Sequence, residues 1–290
     1  MNVLFPAAIQ AFDEWFLHAL QATFSGGVLD LAMKGTTLIG HPVIWIMVAA
    51  LVYWKGKENH AFFLMNAVMF AALAAGIIKI FVARPRPDPG VFRVVAHDTY
   101  NTASFPSGHA TTIASVFAYT RGFLDRQKKL LMALAIIAVA ISRMYLGVHF
   151  LTDVLAGIVF GLAIGSVNAW SRKQWLKHGF RLTKLEEEIG LVAAVVLAVI
   201  AIIVLGDSET VSLGTIFLGF YAGFFAWKEL GKTQSAKAFV PKSVIGLIVL
   251  GALLGAGQFV ITDYYLKAAA FFAAGLWISL IQPVLAEKLA

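Results

Sequence analysis

Residues 4–22 set Phe5, Ile9, Phe12, Trp15, Phe16 and Leu20 at helical spacing against Gln10, Asp13, Glu14 and His18. A stripe of that period predicts an amphipathic helix lying in a membrane interface. Its acidic residues argue against a role in binding anionic lipid. Ser25-Gly26-Gly27 ends it, and beyond that point polar positions become rare for long stretches. Apolar blocks at 29–54, 60–81, 107–124, 129–146, 149–169, 188–205, 211–228, 242–260 and 264–285 predict nine spans, because about 20 apolar helical residues cross a hydrocarbon core. The block at 29–54 contains Gly40-His41-Pro42, where an irregularity is expected, and closes on the interfacial anchors Tyr53 and Trp54. The block at 107–124 carries Ser107, His109, Thr111, Thr112 and Ser115. So many small polar residues suit a helix that faces other helices rather than lipid.

Composition agrees with this pattern. Hydrophobic residues make up 60% of the 290-residue chain and charged residues 13%, with a mean hydropathy of +0.81. Soluble domains hold about 25% charged residues. The expected fold is therefore all-α: a polytopic transmembrane helix bundle of about nine spans plus an N-terminal interfacial helix. The absence of cysteine excludes disulfides, thiolate metal sites and a cysteine nucleophile. No cleavable signal peptide is expected, since the N-terminus lacks a basic segment and carries Asp13 and Glu14 where an apolar core would stand.

The net charge of +7 could point to nucleic acid, but its distribution points to topology instead. Lys55 and Lys57, then Arg121, Arg126, Lys128 and Lys129, then Arg172, Lys173, Lys177, Arg181 and Lys184, then Lys228, Lys232, Lys237 and Lys242 all fall on one side of a nine-span plan. Asp207, Glu209 and Asp263 fall on the other. The positive-inside rule makes the basic side cytoplasmic. The N-terminus is then outside and the C-terminus inside.

One outer segment departs from this rule. Lys79, Arg84, Arg86 and Arg93 lie there among prolines 85, 87 and 89. Snorkelling and pairing with Asp88 or Asp98 is one explanation, and an anion site is the other. The second is favoured because three further stretches reach the same face: Ser107-Gly108-His109, Ser142-Arg143, and His149 with Asp153. Antiparallel neighbours bring the end of one span beside the start of the next.

These residue types suit phosphoryl transfer. Lys79, Arg86 and Arg143 are cationic donors, and Ser107 with the Gly108 N–H adds neutral ones for equatorial phosphate oxygens. A helix opening on Ser-Gly also presents free N–H groups to an anion. Asp153 follows His149 by one helical turn, so it can hold one ring nitrogen and leave the other to attack phosphorus. His109 is the second histidine, able to protonate the leaving oxygen. Two histidines divide nucleophile and acid without a metal. Structural alternatives exist for each group alone, such as a snorkelling Lys79 or a purely structural His149–Asp153 bond. Ionisable groups in or beside spans nevertheless lean functional.

Lys79 followed after six residues by Arg86-Pro87, Pro106-Ser107-Gly108-His109, and Ser142-Arg143 followed by His149 and Asp153 resemble, in order, the three signatures of the type 2 phosphatidic acid phosphatase (PAP2) superfamily. The resemblance covers about residues 25–170. It implies metal-independent hydrolysis of a phosphomonoester or diphosphate through a phosphohistidine, with no cofactor. It further implies His149 as nucleophile, Asp153 as its partner, His109 as general acid, and Lys79, Arg86, Ser107, Gly108 and Arg143 as the phosphate cradle, with Ser142 in support. Vanadium haloperoxidases share the signature, but they are soluble. The expected layout is an interfacial helix at 1–25, a PAP2-like core at 26–170 and an additional four-helix transmembrane region at 185–290. The nine-span plan also resembles the glucose-6-phosphatase and sphingosine-phosphate phosphatase branches. Expected partners are the bilayer and a membrane lipid phosphate of polyprenyl, glycerophospholipid, sphingoid or lipid A type. No nucleic acid is expected, and a homo-oligomer is left open. The expected location is the cell (inner) membrane of a bacterium or the endoplasmic reticulum of a eukaryote, with the site on the non-cytoplasmic face. A sugar-phosphate phosphatase, and a transporter or anion-binding protein without enzymatic activity, are the alternatives.

Overall fold

The computed structural model describes residues 5–96, 102–177, 208–231 and 239–288, and among these every regular element is a helix. In order they are α1 (Ala7–Thr23), α2 (Gly27–Leu38), α3 (Pro42–Trp54), α4 (Glu58–Val82), α5 (Gly108–Thr120), α6 (Arg126–Tyr145) and α7 (Leu151–Lys177). Then come α8 (Ser208–Glu229), α9 (Phe239–Gly255) with a π-helical extension Ala256–Val260, α10 (Tyr264–Leu276), a π-helical segment Trp277–Ile281, and α11 (Gln282–Lys288). The all-helical expectation holds.

Helices occupy each predicted block that lies in the described residues. The block at 188–205 lies outside them, as do Asp98, Arg181, Lys184, Glu186, Glu187, Glu188, Asp207, Lys232 and Lys237. By length and hydropathy, α4, α7, Phe239–Val260 and Tyr264–Glu287 are able to cross a membrane. The broken pair α2–α3 makes a fifth candidate. The break falls at the expected Gly40-His41-Pro42, where Pro42 has no N–H to continue the helix. Helix α5 has only 13 residues. At about 1.5 Å per residue it falls short of a ~30 Å hydrocarbon core.

The chain divides into two compact units, residues 1–44 with 70–171, and residues 45–69 with 172–290. In the first, α7 packs on α5 through Gly157, Gly161 and Gly165. A Cβ at these positions would stand 2.7 Å from Ser107 O, 2.3 Å from Thr111 O and 2.0 Å from Ser115 O. Small residues every fourth position thus bring two backbones together. Helix α6 is started by Asp125, whose carboxylate accepts the Lys128 N–H at 2.8 Å. Helix α1 departs from the interfacial expectation in one respect. Asp13 and Leu17 are buried, so part of its polar side faces protein.

In the second unit, the carbonyls of Ile278 and Ser279 in the π-helical segment accept from Trp54 Nε1 at 2.9 Å and Tyr53 OH at 3.0 Å. A π-turn leaves carbonyls without their usual α-helical donors, and buried carbonyls need replacements. Phe62, Phe220, Tyr221 and Phe224 form an aromatic cluster there. Lys228 reaches Glu58 at 3.0 Å.

Candidate active site

All eight predicted site residues belong to the first unit, and four turns of chain deliver them. Lys79 sits in the last turn of α4, where a cation also complements the helix dipole. Ala83 follows with φ +45°, a left-handed residue that turns the chain out of the helix into the proline-rich segment carrying Arg84 and Arg86. Ser107 caps α5 with extended backbone. Its N–H donates to Asp153 O at 3.0 Å, which ties the start of α5 to the start of α7. Arg143 lies in the last turn of α6. The chain then reverses at Gly147, whose φ is +74°. A Cβ there would lie 2.2 Å from Arg93 O, so only glycine fits the turn that presents His149.

Arg86 is held by backbone carbonyls. Nε donates to Thr102 O at 2.8 Å, Nη1 to Val148 O at 2.7 Å, and Nη2 to Thr102 Oγ1 at 3.0 Å. Nη1 also stands 3.3 Å from His149 Nε2. A guanidinium can only donate, so this contact requires Nε2 to accept and leaves the ring proton on Nδ1. Nδ1 lies 3.4 Å from Ser104 Oγ and 3.6 Å from Asp153 Oδ2. The second distance is beyond a hydrogen bond. Beside the His149–Asp153 pair runs a relay, in which the Ser104 hydroxyl donates to Asp153 Oδ2 and faces the imidazole with its oxygen. Asp153 Oδ2 also accepts the Phe150 N–H at 2.8 Å, and Oδ1 accepts Arg84 Nη1 at 2.7 Å.

Around this pair, Lys79 Nζ reaches Thr102 Oγ1 at 3.2 Å and Arg143 Nη1 reaches Thr37 Oγ1 at 2.9 Å. Arg143, His41, His149 and Lys79 stand close enough to His109 to act on its charge, and Arg86, Arg143 and Lys79 do so at His149. His109 meets His41 edge-to-face, with ring centroids 5.4 Å apart. Gly40 lies directly against it: an added Cβ would be 2.9 Å from His109 Cβ. The α2–α3 break thus abuts the site. Ser107 Oγ is buried and, among the described residues, makes no hydrogen bond. Ser142 is buried and donates to Val139 O at 2.7 Å. Among the described residues, no three His, Asp or Glu side chains are grouped to hold a metal ion.

The structure brings together all the predicted groups and adds Ser104, Arg84, Asp13, Thr102, Thr37 and His41. Arg84 had a visible signal: it alternates with Arg86 in Arg84-Pro85-Arg86-Pro87. Ser104 and Thr37 carry no signal in their own neighbourhoods.

Comparison with known proteins adds four findings. The model of the PAP2 superfamily matches residues 60–177. Phosphatidylglycerophosphatase B of Bacillus subtilis is 33% identical over 153 residues, which are 47% of this chain and 71% of that protein. Lipid A 1-phosphatase of Rhizobium etli is 33% identical over 118 residues, 39% of this chain and 48% of the relative, so the chain spans about half of its length. Decaprenylphosphoryl-5-phosphoribose phosphatase of Mycobacterium tuberculosis is 31% identical over 145 residues, 49% of this chain and 78% of the relative.

Proposed function

The chain belongs to the PAP2 superfamily, and from that membership we propose that it is a membrane phosphatase hydrolysing a lipid phosphate or diphosphate through a phosphohistidine on His149. One observation carries this reading: His149 Nε2 faces the Arg86 guanidinium at 3.3 Å while Nδ1 faces the Ser104–Asp153 relay. A phosphate bound to Arg86 meets the unprotonated nitrogen directly. The same guanidinium then stabilises the charge that gathers on the equatorial oxygens.

In the first step the Nε2 lone pair attacks phosphorus and the bond to the leaving oxygen breaks. His109, as the general acid, gives a proton to that oxygen. The imidazole gains positive charge as it takes the phosphoryl group, and Asp153 balances it across Ser104. In the second step water attacks phosphorus, His109 takes back a proton, and the P–N bond breaks to release phosphate. Lys79, Arg86, Arg143, the Ser107 hydroxyl and the Gly108 N–H form the cradle. The unsatisfied, buried Ser107 Oγ supports that role, since a buried hydroxyl without a partner is costly and a phosphate oxygen would satisfy it.

The relatives support a lipid as the substrate class. Their names give three different headgroups joined to lipid tails, and the common element is a phosphate anchored in a bilayer. An apolar tail lies in the membrane while its phosphate meets the cations. The distribution of basic loops supports a site on the non-cytoplasmic face. The 1–25, 26–170 and 185–290 layout is kept as part of this reading, with catalysis assigned to the middle segment.

The test is phosphate release by the purified protein in detergent, with chelator present. The panel contains phosphatidic acid, phosphatidylglycerol phosphate, a polyprenyl mono- and diphosphate, a sphingoid phosphate, a lipid A phosphate and a hexose phosphate. Turnover of a lipid substrate that survives chelator and disappears in His149→Ala is expected. A metal requirement, an unaffected His149→Ala variant, or turnover of the hexose phosphate alone would overturn the proposal.

A further inference from the structure

We propose that Asp13, on the N-terminal helix α1, is a positioning residue for the reaction at His149 and acts through Arg84 on the Asp153 carboxylate. The inference rests on the reading of His149 as nucleophile and extends it to a segment outside all three signatures.

Three charges share one buried line. Asp13 is 0% exposed, Arg84 1% and Asp153 0%. Arg84 Nη2 contacts Asp13 Oδ2 at 2.7 Å, and Nη1 contacts Asp153 Oδ1 at 2.7 Å. The two carboxylates therefore hold two different nitrogens of one guanidinium. The rings of Phe5 and Phe150 lie over it, at 4.0 and 4.4 Å from Cζ. Gln10 Oε1 accepts from Nη2 at 2.8 Å. Thr152 completes the link: its N–H donates to Asp13 Oδ1 at 3.0 Å, its hydroxyl donates to Asp13 Oδ2, and Arg84 Nη1 approaches that hydroxyl at 2.7 Å. Helix α1 is thus bonded to the residue that directly precedes Asp153.

This arrangement has a consequence at the reacting ring. Asp153 must offer negative charge to an imidazole that becomes cationic when phosphorylated. A buried Arg84 paired with Asp153 alone would neutralise that charge and draw the carboxylate toward itself. Asp13 supplies the second counter-charge, so Arg84 orients Asp153 without cancelling it. A helix that merely rests on a membrane surface has no use for a buried carboxylate, because burying charge is costly and a buried pair adds little net stability.

The experiment uses the full-length protein in detergent and the best lipid substrate of the panel above. Asp13→Asn keeps the shape and removes the charge. Its kcat should fall about tenfold, the effect of about 1.4 kcal/mol, with KM within about twofold. Because Asp13 acts through Arg84, the double variant with Arg84→Gln should be no slower than Arg84→Gln alone. If Asp13→Asn does not fold, Gln10→Ala takes its place. It removes one acceptor from Arg84, together with a donor to Glu14, and should lower kcat by about two- to fourfold at constant KM. Wild-type kcat in the variant read, a loss confined to KM, or losses in Asp13→Asn and Arg84→Gln that multiply in the double variant would each overturn the inference alone. A wild-type protein that releases no phosphate overturns the underlying reading and this inference with it.

Discussion

His149 Nδ1 and Asp153 Oδ2 stand 3.6 Å apart, His149 just before the start of α7 and Asp153 in its first turn, and Ser104 Oγ faces the ring nitrogen at 3.4 Å. The serine hydroxyl also donates to Asp153 Oδ2 and so stands between the carboxylate and the imidazole. Ser104→Ala removes this relay and leaves room for the ring to swing. A buried hydrogen bond contributes about 1 kcal/mol net, and more when a charged partner is left unsatisfied. The expected result is a kcat about tenfold lower with folding intact, measured by phosphate release and thermal unfolding in parallel. An unchanged kcat would remove Ser104 from the mechanism.

His109 is assigned to the leaving oxygen, so its loss should depend on what leaves. An alkyl oxygen needs a proton and a nitrophenolate does not. His109→Ala should lose about 10²–10⁴-fold on a lipid phosphate and far less on a nitrophenyl phosphate. Equal losses on both substrates would assign His109 a binding role instead.

Arg86 uses its planar fork to span Thr102, Val148 and His149 Nε2. Lysine carries the same charge but cannot make these contacts together. Hydrogen bonds to charged groups contribute about 1.5–3 kcal/mol. Arg86→Lys should therefore lower kcat/KM by roughly 10- to 100-fold and weaken vanadate inhibition by a similar factor. Wild-type inhibition by vanadate in this variant would show that Arg86 does not hold the phosphoryl group.

The α5–α7 contact can be tested away from the chemistry. A Cβ at Gly161 would lie 2.3 Å from Thr111 O, which is backbone and cannot move aside alone. Gly161→Leu should separate the helices and cost about 3 kcal/mol. The measurement is the unfolding midpoint in detergent, expected to drop by several degrees along with activity. A midpoint equal to wild type would mean that the two helices do not pack as described.

The parts of this molecule that were legible in the sequence are those written within one element or at one fixed spacing. Apolar blocks predicted the helices because burial in lipid demands long uninterrupted runs, and Gly40-His41-Pro42 located the break between α2 and α3. Lys79, Arg86 and Arg143 were legible because they are cations that break the expected charge pattern of the loops, and His109, His149 and Asp153 because they stand at fixed spacings beside them. Ser104, Thr37 and Asp13 were not, since they reach their partners from 45, 106 and 71 positions away in the chain. Only packing brings them in. Asp13 was misjudged for a specific reason. Periodicity locates the polar side of α1 but does not say whether water or Arg84 lies opposite. The reduced length of α5 was hidden too, because the apolar block at 107–124 runs past Thr120, where that helix stops.

The most direct test of the mechanism is the covalent intermediate itself. The protein is mixed with a lipid substrate labelled in its phosphate, quenched in alkali, where phosphohistidine survives, and the labelled peptide is identified by mass spectrometry. Label on His149 that is stable in alkali, lost in acid and absent from His149→Ala is expected. Full turnover with no labelled protein at any quench time, or label retained in His149→Ala, would contradict a phosphohistidine at this residue.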